Sequence, residues 1–94
     1  MPKTSSDHKI TDSHSTATEA TRAVVALAAK LPEVTKISLG PITPIGGGGK
    51  KRIKFLPIAA GIKAIVRGGG TVQDLFIYTN EPSLVQKKLK DIFN

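Results

Sequence analysis

The chain has 94 residues, a formal net charge of +7 and no cysteine. Its length allows one small domain, which buries about 60–65% of its unfolded surface. The lack of cysteine excludes disulfides and thiolate metal sites, and no apolar run approaches the roughly 20 residues of a membrane span. The first residues lack the apolar core of a secretory signal, so we expect a cytoplasmic protein without a membrane partner.

The N-terminal segment is polar, with Ile10 as the only aliphatic residue besides Met1 in residues 1–13. Such a segment buries too little apolar surface to offset the entropy lost on ordering. We therefore predict a flexible tail over 1–13, with room for a short extra strand at His8–Thr11. A single domain over 14–94 follows it.

A helix is predicted over 17–31. Its apolar residues recur at steps of three and four and form one stripe, made of Ala20, Ala23, Val24, Leu27, Ala28 and Leu31. Ser15 or Thr16 would supply the N-cap, and Glu19 stands at the capping-box distance from Thr16. Pro32 ends the helix because its ring cannot continue the helical hydrogen-bond pattern.

Four strands are predicted next, because β-branched residues alternate with polar ones between Gly and Pro breaks. Their predicted ranges are 34–39, 50–56, 62–67 and 71–79. Gly40-Pro41 would end the first strand, and the segment Pro41–Gly49, with four consecutive glycines, is predicted to be a mobile loop. The segment 57–61 is predicted to be a turn. The last strand is the most apolar, which predicts a central strand covered on both faces, or nearly so.

The chain ends with a second amphipathic helix. Asn80 is a suitable cap, and Pro82 is tolerated in the first turn. The apolar stripe consists of Leu84, Val85, Leu89, Ile92 and Phe93. Two helices with one apolar stripe each must bury those stripes against a sheet. The sequence therefore predicts an α+β two-layer sandwich in the order α-β-β-β-β-α, with a four-stranded, mostly antiparallel sheet and both helices on one of its faces.

The excess positive charge lies in residues 34–73, which carry seven Lys and Arg and no Asp or Glu. A hairpin of the second and third strands would turn its apolar residues to the helices, namely Ile53, Phe55, Ile62, Ala64 and Val66. Four cations would then emerge on the opposite face, with no acid in either strand: Arg52, Lys54, Lys63 and Arg67. A segregated excess of charge is typical of proteins that bind polyanions, although basic residues on a solvent face often serve solubility alone.

Two further features fit a nucleic-acid partner. Lys50 and Lys51 follow the glycines and would form a flexible basic arm, with a simple flexible loop as the alternative. Phe76 and Tyr78 share one face of the fourth strand, where they would offer a stacking platform if that face is open and core residues if it is not. The preferred hypothesis is a non-catalytic module that binds RNA, or less readily DNA, with an acidic protein partner or assembly subunit as a further alternative.

Nucleotide hydrolysis is not supported by the glycine run. A P-loop would need a glycine where Pro44 stands and Ser or Thr where Lys51 stands. Asp12-Ser13-His14-Ser15 contains the residue types of a hydrolase triad, but adjacent residues cannot adopt the geometry of one. We therefore do not expect an enzyme.

A metal site is the rival hypothesis. His8 and His14 are the only histidines, and together with Asp12 they would hold zinc with a water as fourth ligand. Unliganded histidines are more frequent in a polar N-terminal segment, so no cofactor is expected other than zinc under this hypothesis.

Several segments of the chain resemble a family of small prokaryotic proteins described as predicted metal-binding. They are His14-Ser15-Thr16, Leu31–Ile37, Gly40-Pro41-Ile42, Gly61–Arg67 and Thr71–Thr79. The resemblance implies a bound metal ion. Of the metal-ligand positions, only His14 carries over to this chain, and the cysteines of other members are absent.

Overall fold

The computed structural model describes residues 17–47 and 50–93. It contains two helices and four strands, which are α1 (Glu19–Ala29), β1 (Val34–Pro44), β2 (Arg52–Ile58), β3 (Gly61–Gly68), β4 (Thr71–Thr79) and α2 (Pro82–Phe93). The strands form one sheet in the order β1-β4-β3-β2, and every neighbouring pair is antiparallel. This arrangement confirms the predicted α+β class and element order.

Both helices pack on the same face of the sheet, and the core lies between the two layers. The buried apolar residues come from every element except β2. They are Val24, Val25, Ala28, Val34, Ile37, Ile62, Ala64, Val66, Leu75, Ile77, Val85 and Leu89. Ile53 and Phe55 of β2 pack against this cluster from the edge and are partly buried. The predicted inward face of the β2–β3 hairpin is therefore confirmed.

Helix α1 begins two residues later than predicted and ends two residues earlier, at Ala29. Thr18 is the N-cap in place of Ser15 or Thr16, and its hydroxyl accepts a hydrogen bond from the Thr21 backbone N–H at 3.1 Å. The backbone N–H of Thr18 donates in turn to the side chain of Gln73, at 3.1 Å. A tertiary contact with β4 thus selects the cap, which capping-box spacing alone does not determine.

Strand β1 continues to Pro44, so the prediction that Gly40-Pro41 ends it is wrong. The pairing with β4 shifts register between Leu39 and Ile42, which makes Gly40-Pro41 a bulge. Proline and a bulge are both tolerated because β1 is an edge strand. A Cβ at Gly40 would lie 3.0 Å from the Cβ of Asp74 in β4, so a side chain at this position would displace Asp74 by a few tenths of an ångström.

The connection from β1 to β2 crosses the end of the sheet, because these two strands are its opposite edges. Within it, the Ile45 backbone N–H donates to the carbonyl oxygen of Gly70 in the β3–β4 turn, at 2.9 Å. Residues 41–44 of the predicted mobile loop belong to β1, and residues 48–49 lie outside the described part of the chain. Only the middle of the predicted loop is therefore irregular within the described residues.

Strand β2 is shifted by two residues relative to its prediction, since it runs from Arg52 to Ile58. Pro57 is accepted within the strand because β2 is the second edge of the sheet. The turn to β3 is correspondingly short and consists of Ala59 and Ala60.

Strand β4 is central, as predicted, but the helices cover only one of its faces. Its side chains alternate between buried and half-buried from Gln73 to Thr79, so one face is fully covered and the other only in part, in line with the expectation of a strand covered on both faces or nearly so. Helix α2 begins at Pro82, two residues after the predicted cap Asn80. Ile92 of the predicted apolar stripe is 51% exposed and does not belong to the core.

Several sequence predictions concern residues outside the described ranges. They are the tail over 1–13, the short strand at His8–Thr11 and the site of His8, Asp12 and His14. Among the residues that are described, neither helix has the length and apolarity to cross a membrane.

Candidate functional site

The face of the sheet on which neither described helix packs is called the open face here. Strand pairing places Lys36 and Ser38 of β1 on it, with Val72, Asp74, Phe76 and Tyr78 of β4 opposite or beside them. The remaining members are Lys63, Ile65 and Arg67 of β3 and Arg52, Lys54, Leu56 and Ile58 of β2. The open face is therefore a mixed surface of apolar side chains and cations.

The four cations predicted to share a face do so. Arg52 and Arg67 are directly opposite each other in the β2–β3 ladder, so their Cβ atoms lie about 4.5–5.5 Å apart. Lys54 is opposite Ile65, and Lys63 is opposite Leu56. Two guanidinium groups at one pair position repel each other, so this end of the open face combines a high density of positive charge with some cost in stability.

Both aromatic residues of β4 lie on the open face and are half-buried. A lysine accompanies each ring: the Nζ of Lys63 lies 5.5 Å from the centroid of Phe76, and the Nζ of Lys36 lies 5.1 Å from the centroid of Tyr78. Each cation–π contact of this kind contributes about 0.5–1 kcal/mol at an exposed site. Each ring is thus partly accessible and lies beside a positive charge.

Lys36 is a member of this surface that sequence reasoning missed. It reaches Tyr78 because β1 pairs with β4 and places the two residues opposite each other. The signal in the sequence is the alternation of Lys36 with the buried Ile37 in the first strand. That signal becomes informative only once the partner of β1 is known.

Asp74 brings one carboxylate to the open face. Its Oδ2 lies 3.2 Å from the Nζ of Lys63, and the two side chains are 35% and 28% exposed. The absence of acids from β2 and β3 therefore does not leave all four cations unpaired, since β4 supplies a partner for Lys63. Arg52, Lys54 and Arg67 make no ion pair with any described residue.

The basic arm meets the sheet at the end where Arg52 and Arg67 lie. Lys50 and Lys51 are exposed, and Lys51 borders a cleft of about 540 Å³ between the first turn of α1 and the β3–β4 turn. Thr18, Gly68 and Gly69 also line that cleft. Lys51 thus lies at the end of the sheet near α1, whereas Arg52 belongs to the open face.

A second ion pair lies away from the open face. Lys88 of α2 donates to Glu33 Oε2 at 2.9 Å and connects the last helix to the segment before β1. The hydrogen bond from Lys88 lowers the pKa of the Glu33 carboxyl below its usual value. This pair joins structural elements and is remote from the aromatic rings.

The described residues do not supply a ligand set for a metal ion. Over 17–47 and 50–93, no three His, Asp or Glu side chains cluster closely enough to hold one. The chain has no cysteine, and both of its histidines precede residue 17. The site formed by His8, Asp12 and His14 therefore remains a prediction on residues that are not described.

Comparison with known proteins gives one match, and neither a curated protein nor a solved structure is found to be similar. The match is to the family described as "Predicted metal-binding protein (DUF2103)", and it extends over residues 5–91. It includes α1, the whole sheet, all but the last two residues of α2, and the histidines of the N-terminal segment. The resemblance inferred from the sequence is thereby confirmed, and the chain belongs to this family of predicted metal-binding proteins.

Proposed function

We propose that this protein is a non-catalytic module that binds single-stranded nucleic acid, RNA in preference to DNA, through its open face. The observation that supports this most directly is the pairing of half-buried aromatic rings with lysines, Phe76 with Lys63 and Tyr78 with Lys36, on the sheet face that neither described helix covers. Unstacked bases stack on such rings, and each base contributes about 1–3 kcal/mol. Single-stranded segments with splayed bases are the usual target of RNA recognition.

The two ends of the open face take different parts of the ligand. Bases stack on Phe76 and Tyr78, while phosphates contact Arg52, Lys54 and Arg67, which have no carboxylate partner among the described residues. Lys63 contributes less to phosphate binding because Asp74 already neutralises its charge. Lys50 and Lys51 add charge at the end of the sheet where the arginines lie.

The salt dependence of binding tests this mechanism. Each phosphate contact on a single strand contributes about 0.7 to the slope of log K against log salt concentration. Three unpaired cations thus account for a slope of about 2, with any contribution of the arm in addition. Fluorescence anisotropy with one RNA sequence, the same sequence as DNA and the corresponding duplexes, at several salt concentrations, measures this slope. We expect the single-stranded RNA to bind most tightly.

A charge-matched pair of variants separates the open face from the overall charge. The face variant carries R52Q, K54Q, K63Q and R67Q, and the control variant carries R22Q, K30Q, K87Q and K90Q, all in the two helices or at their ends. Both lose the same formal charge. We expect only the face variant to lose affinity and salt slope. Equal losses in the two variants, or no RNA binding at low salt, would refute the proposal.

Recognition of bases is tested by a polyanion without bases. If heparin competes as effectively as RNA of equal charge, the open face recognises charge alone, and an acidic protein becomes the better candidate for the partner. If substitution of Phe76 and Tyr78 by Leu weakens RNA binding and leaves heparin binding unchanged, the rings contact bases.

A metal ion is the second candidate ligand, favoured by the description of the family. His8, Asp12 and His14 would hold zinc, with imidazole nitrogens and a carboxylate as ligands. Titration with zinc below one equivalent should then shift the imidazole NMR signals of both histidines, and the double variant H8Q/H14Q should lose the binding. Unchanged histidine signals in the presence of excess zinc would exclude this site.

A further inference from the structure

Asp74 is the only carboxylate on the open face among the described residues. The other described acids lie in the helices or next to them, at Glu19, Glu33, Glu81 and Asp91. Asp74 precedes Phe76 by two residues on the same face of β4, so their Cα atoms are about 6.8 Å apart. A carboxylate thus lies beside the ring on which the first base of the proposed ligand would stack.

The residues beside Asp74 on the adjoining strands bring no competing polar side chain to its carboxylate. Its neighbour on β1 is Gly40, which has no side chain, and a Cβ there would lie 3.0 Å from the Cβ of Asp74 and 3.6 Å from the Phe76 ring. Its neighbour on β3 is Ile65, which offers no polar group. One side of the carboxylate is consequently free of competing side chains.

Lys63 fixes the orientation of both groups. Its Nζ lies 3.2 Å from Asp74 Oδ2 and 5.5 Å from the centroid of the Phe76 ring. The ion pair occupies Oδ2, and within the described residues Lys63 is the one partner of Asp74. Asp74 Oδ1 therefore keeps its capacity to accept a hydrogen bond from a ligand.

We infer that Asp74 is a specificity-determining residue, which selects bases with an exocyclic amino group at the Phe76 subsite. This inference depends on the proposed binding of nucleic acid to the open face. A carboxylate accepts a hydrogen bond from the N4 amino group of cytosine, whereas uracil has a carbonyl oxygen at the same position and is repelled. The neutral Lys63–Asp74 pair attracts phosphates less than the unpaired cations do, so the base and not the backbone of the ligand lies over this part of the face.

The comparison of cytosine with uracil isolates this contact, because the two pyrimidines have the same ring size and the same sugar and phosphate. We expect oligo(rC) to bind about tenfold more tightly than oligo(rU) of equal length, which corresponds to about 1.4 kcal/mol. The salt slopes should be equal for the two ligands, because the phosphate contacts are the same.

The substitution Asp74→Asn tests the role of the carboxylate. The amide of D74N donates to the uracil carbonyl as readily as it accepts from the cytosine amino group, so the preference should fall to within about twofold. The same substitution frees Lys63, so the affinity for both ligands should rise. K63Q is the complementary variant: it should lower both affinities and retain the preference for cytosine, since the carboxylate remains.

Each outcome of the anisotropy measurements has a distinct meaning. A cytosine preference that D74N abolishes supports the inference. Equal affinities of the natural protein for the two ligands, or a preference that persists in D74N, would overturn it while leaving the proposed function intact. Failure of either ligand to bind would overturn the proposed function and this inference together. Circular dichroism of each variant verifies that the fold is retained.

Discussion

Gln73 is a fully buried amide that joins three elements. Its Oε1 accepts a hydrogen bond from the backbone N–H of Thr18 at 3.1 Å, and its Nε2 donates to the carbonyl oxygen of Gly40 at 3.1 Å. The first contact lies at the cap of α1 and the second at the bulge of β1. Replacement by leucine keeps the approximate volume and removes both hydrogen bonds.

The expected cost of Q73L follows from these two contacts. Each neutral hydrogen bond contributes about 0.5–1.5 kcal/mol, and a buried group left without a partner costs about 1–3 kcal/mol. Because the Gly40 carbonyl is buried, losing its partner incurs the full cost of an unsatisfied group. The Thr18 N–H is only partly buried, so its loss costs less. We therefore expect a loss of about 2–4 kcal/mol in the free energy of unfolding, which lowers Tm by about 8–30 °C in a domain of this size.

Urea unfolding followed by circular dichroism measures this loss. The matched control is Q86L, since Gln86 is the only other glutamine and lies half-buried on α2. Away from buried contacts, a substitution changes the free energy by about 0.5 kcal/mol or less. Hydrogen exchange at Thr18 should also accelerate in Q73L. Equal stability of the two variants, or unchanged exchange at Thr18, would refute the role assigned to Gln73.

Three more predictions concern packing, charge and the bulge. L89A should lower the free energy of unfolding by about 2–5 kcal/mol, because Leu89 is fully buried. I92A should lower it far less, because Ile92 is 51% exposed. Chemical unfolding of both variants measures the two losses. Because folding lowers the pKa of the Glu33 carboxyl, the carboxylate stabilises the folded state at pH values above its ordinary pKa of 4.5. This contribution is lost as the pH falls below that value. The stability difference between the natural protein and E33Q, measured by urea unfolding, should accordingly be present at neutral pH and vanish in acid, and a difference that persists in acid would contradict the assignment. G40V should lower Tm because the added side chain overlaps β4, and an unchanged Tm would show that the bulge can relax.

The sequence predicts the orientation of the β2–β3 hairpin because local alternation determines it. Apolar residues at every second position of each strand have only one buried face available, so Arg52, Lys54, Lys63 and Arg67 must share the other. The register found in the structure follows that pattern. This part of the candidate site needs no knowledge of long-range contacts.

Strand β4 shows where such local reasoning ends. Both of its faces carry apolar residues, and Gln73, the polar residue between them, lies on the buried one. Polarity alone would place Gln73 outside and Phe76 inside. The structure reverses this because Thr18 and Gly40 satisfy the amide, and these partners are 55 and 33 residues away in the sequence.

The position of β1 is a second feature that the sequence leaves open. The connection between β1 and β2 contains four glycines, and loop-closure entropy grows slowly with loop length. The connection therefore gives β1 little preference for pairing with β2. Pairing with β4 instead of β2 completes burial of Ile37 beside Ile77. The same pairing brings Lys36 to Tyr78, so a residue of the candidate site depends on a non-local contact.

The placement of charge on the open face is the physical argument for the proposed ligand. A surface selected for solubility and stability alone would intersperse acids among the cations, yet Arg52 and Arg67 face each other and find no carboxylate among the described residues. The one carboxylate on this face pairs with Lys63 beside the Phe76 ring. The two arginines therefore repel each other at the end of the face where bound phosphates would relieve the repulsion. The charge of Lys63, in contrast, is neutralised beside the ring on which a base would stack. The ligand that we propose, a single-stranded nucleic acid, would offer phosphates to the first part of this surface and bases to the second.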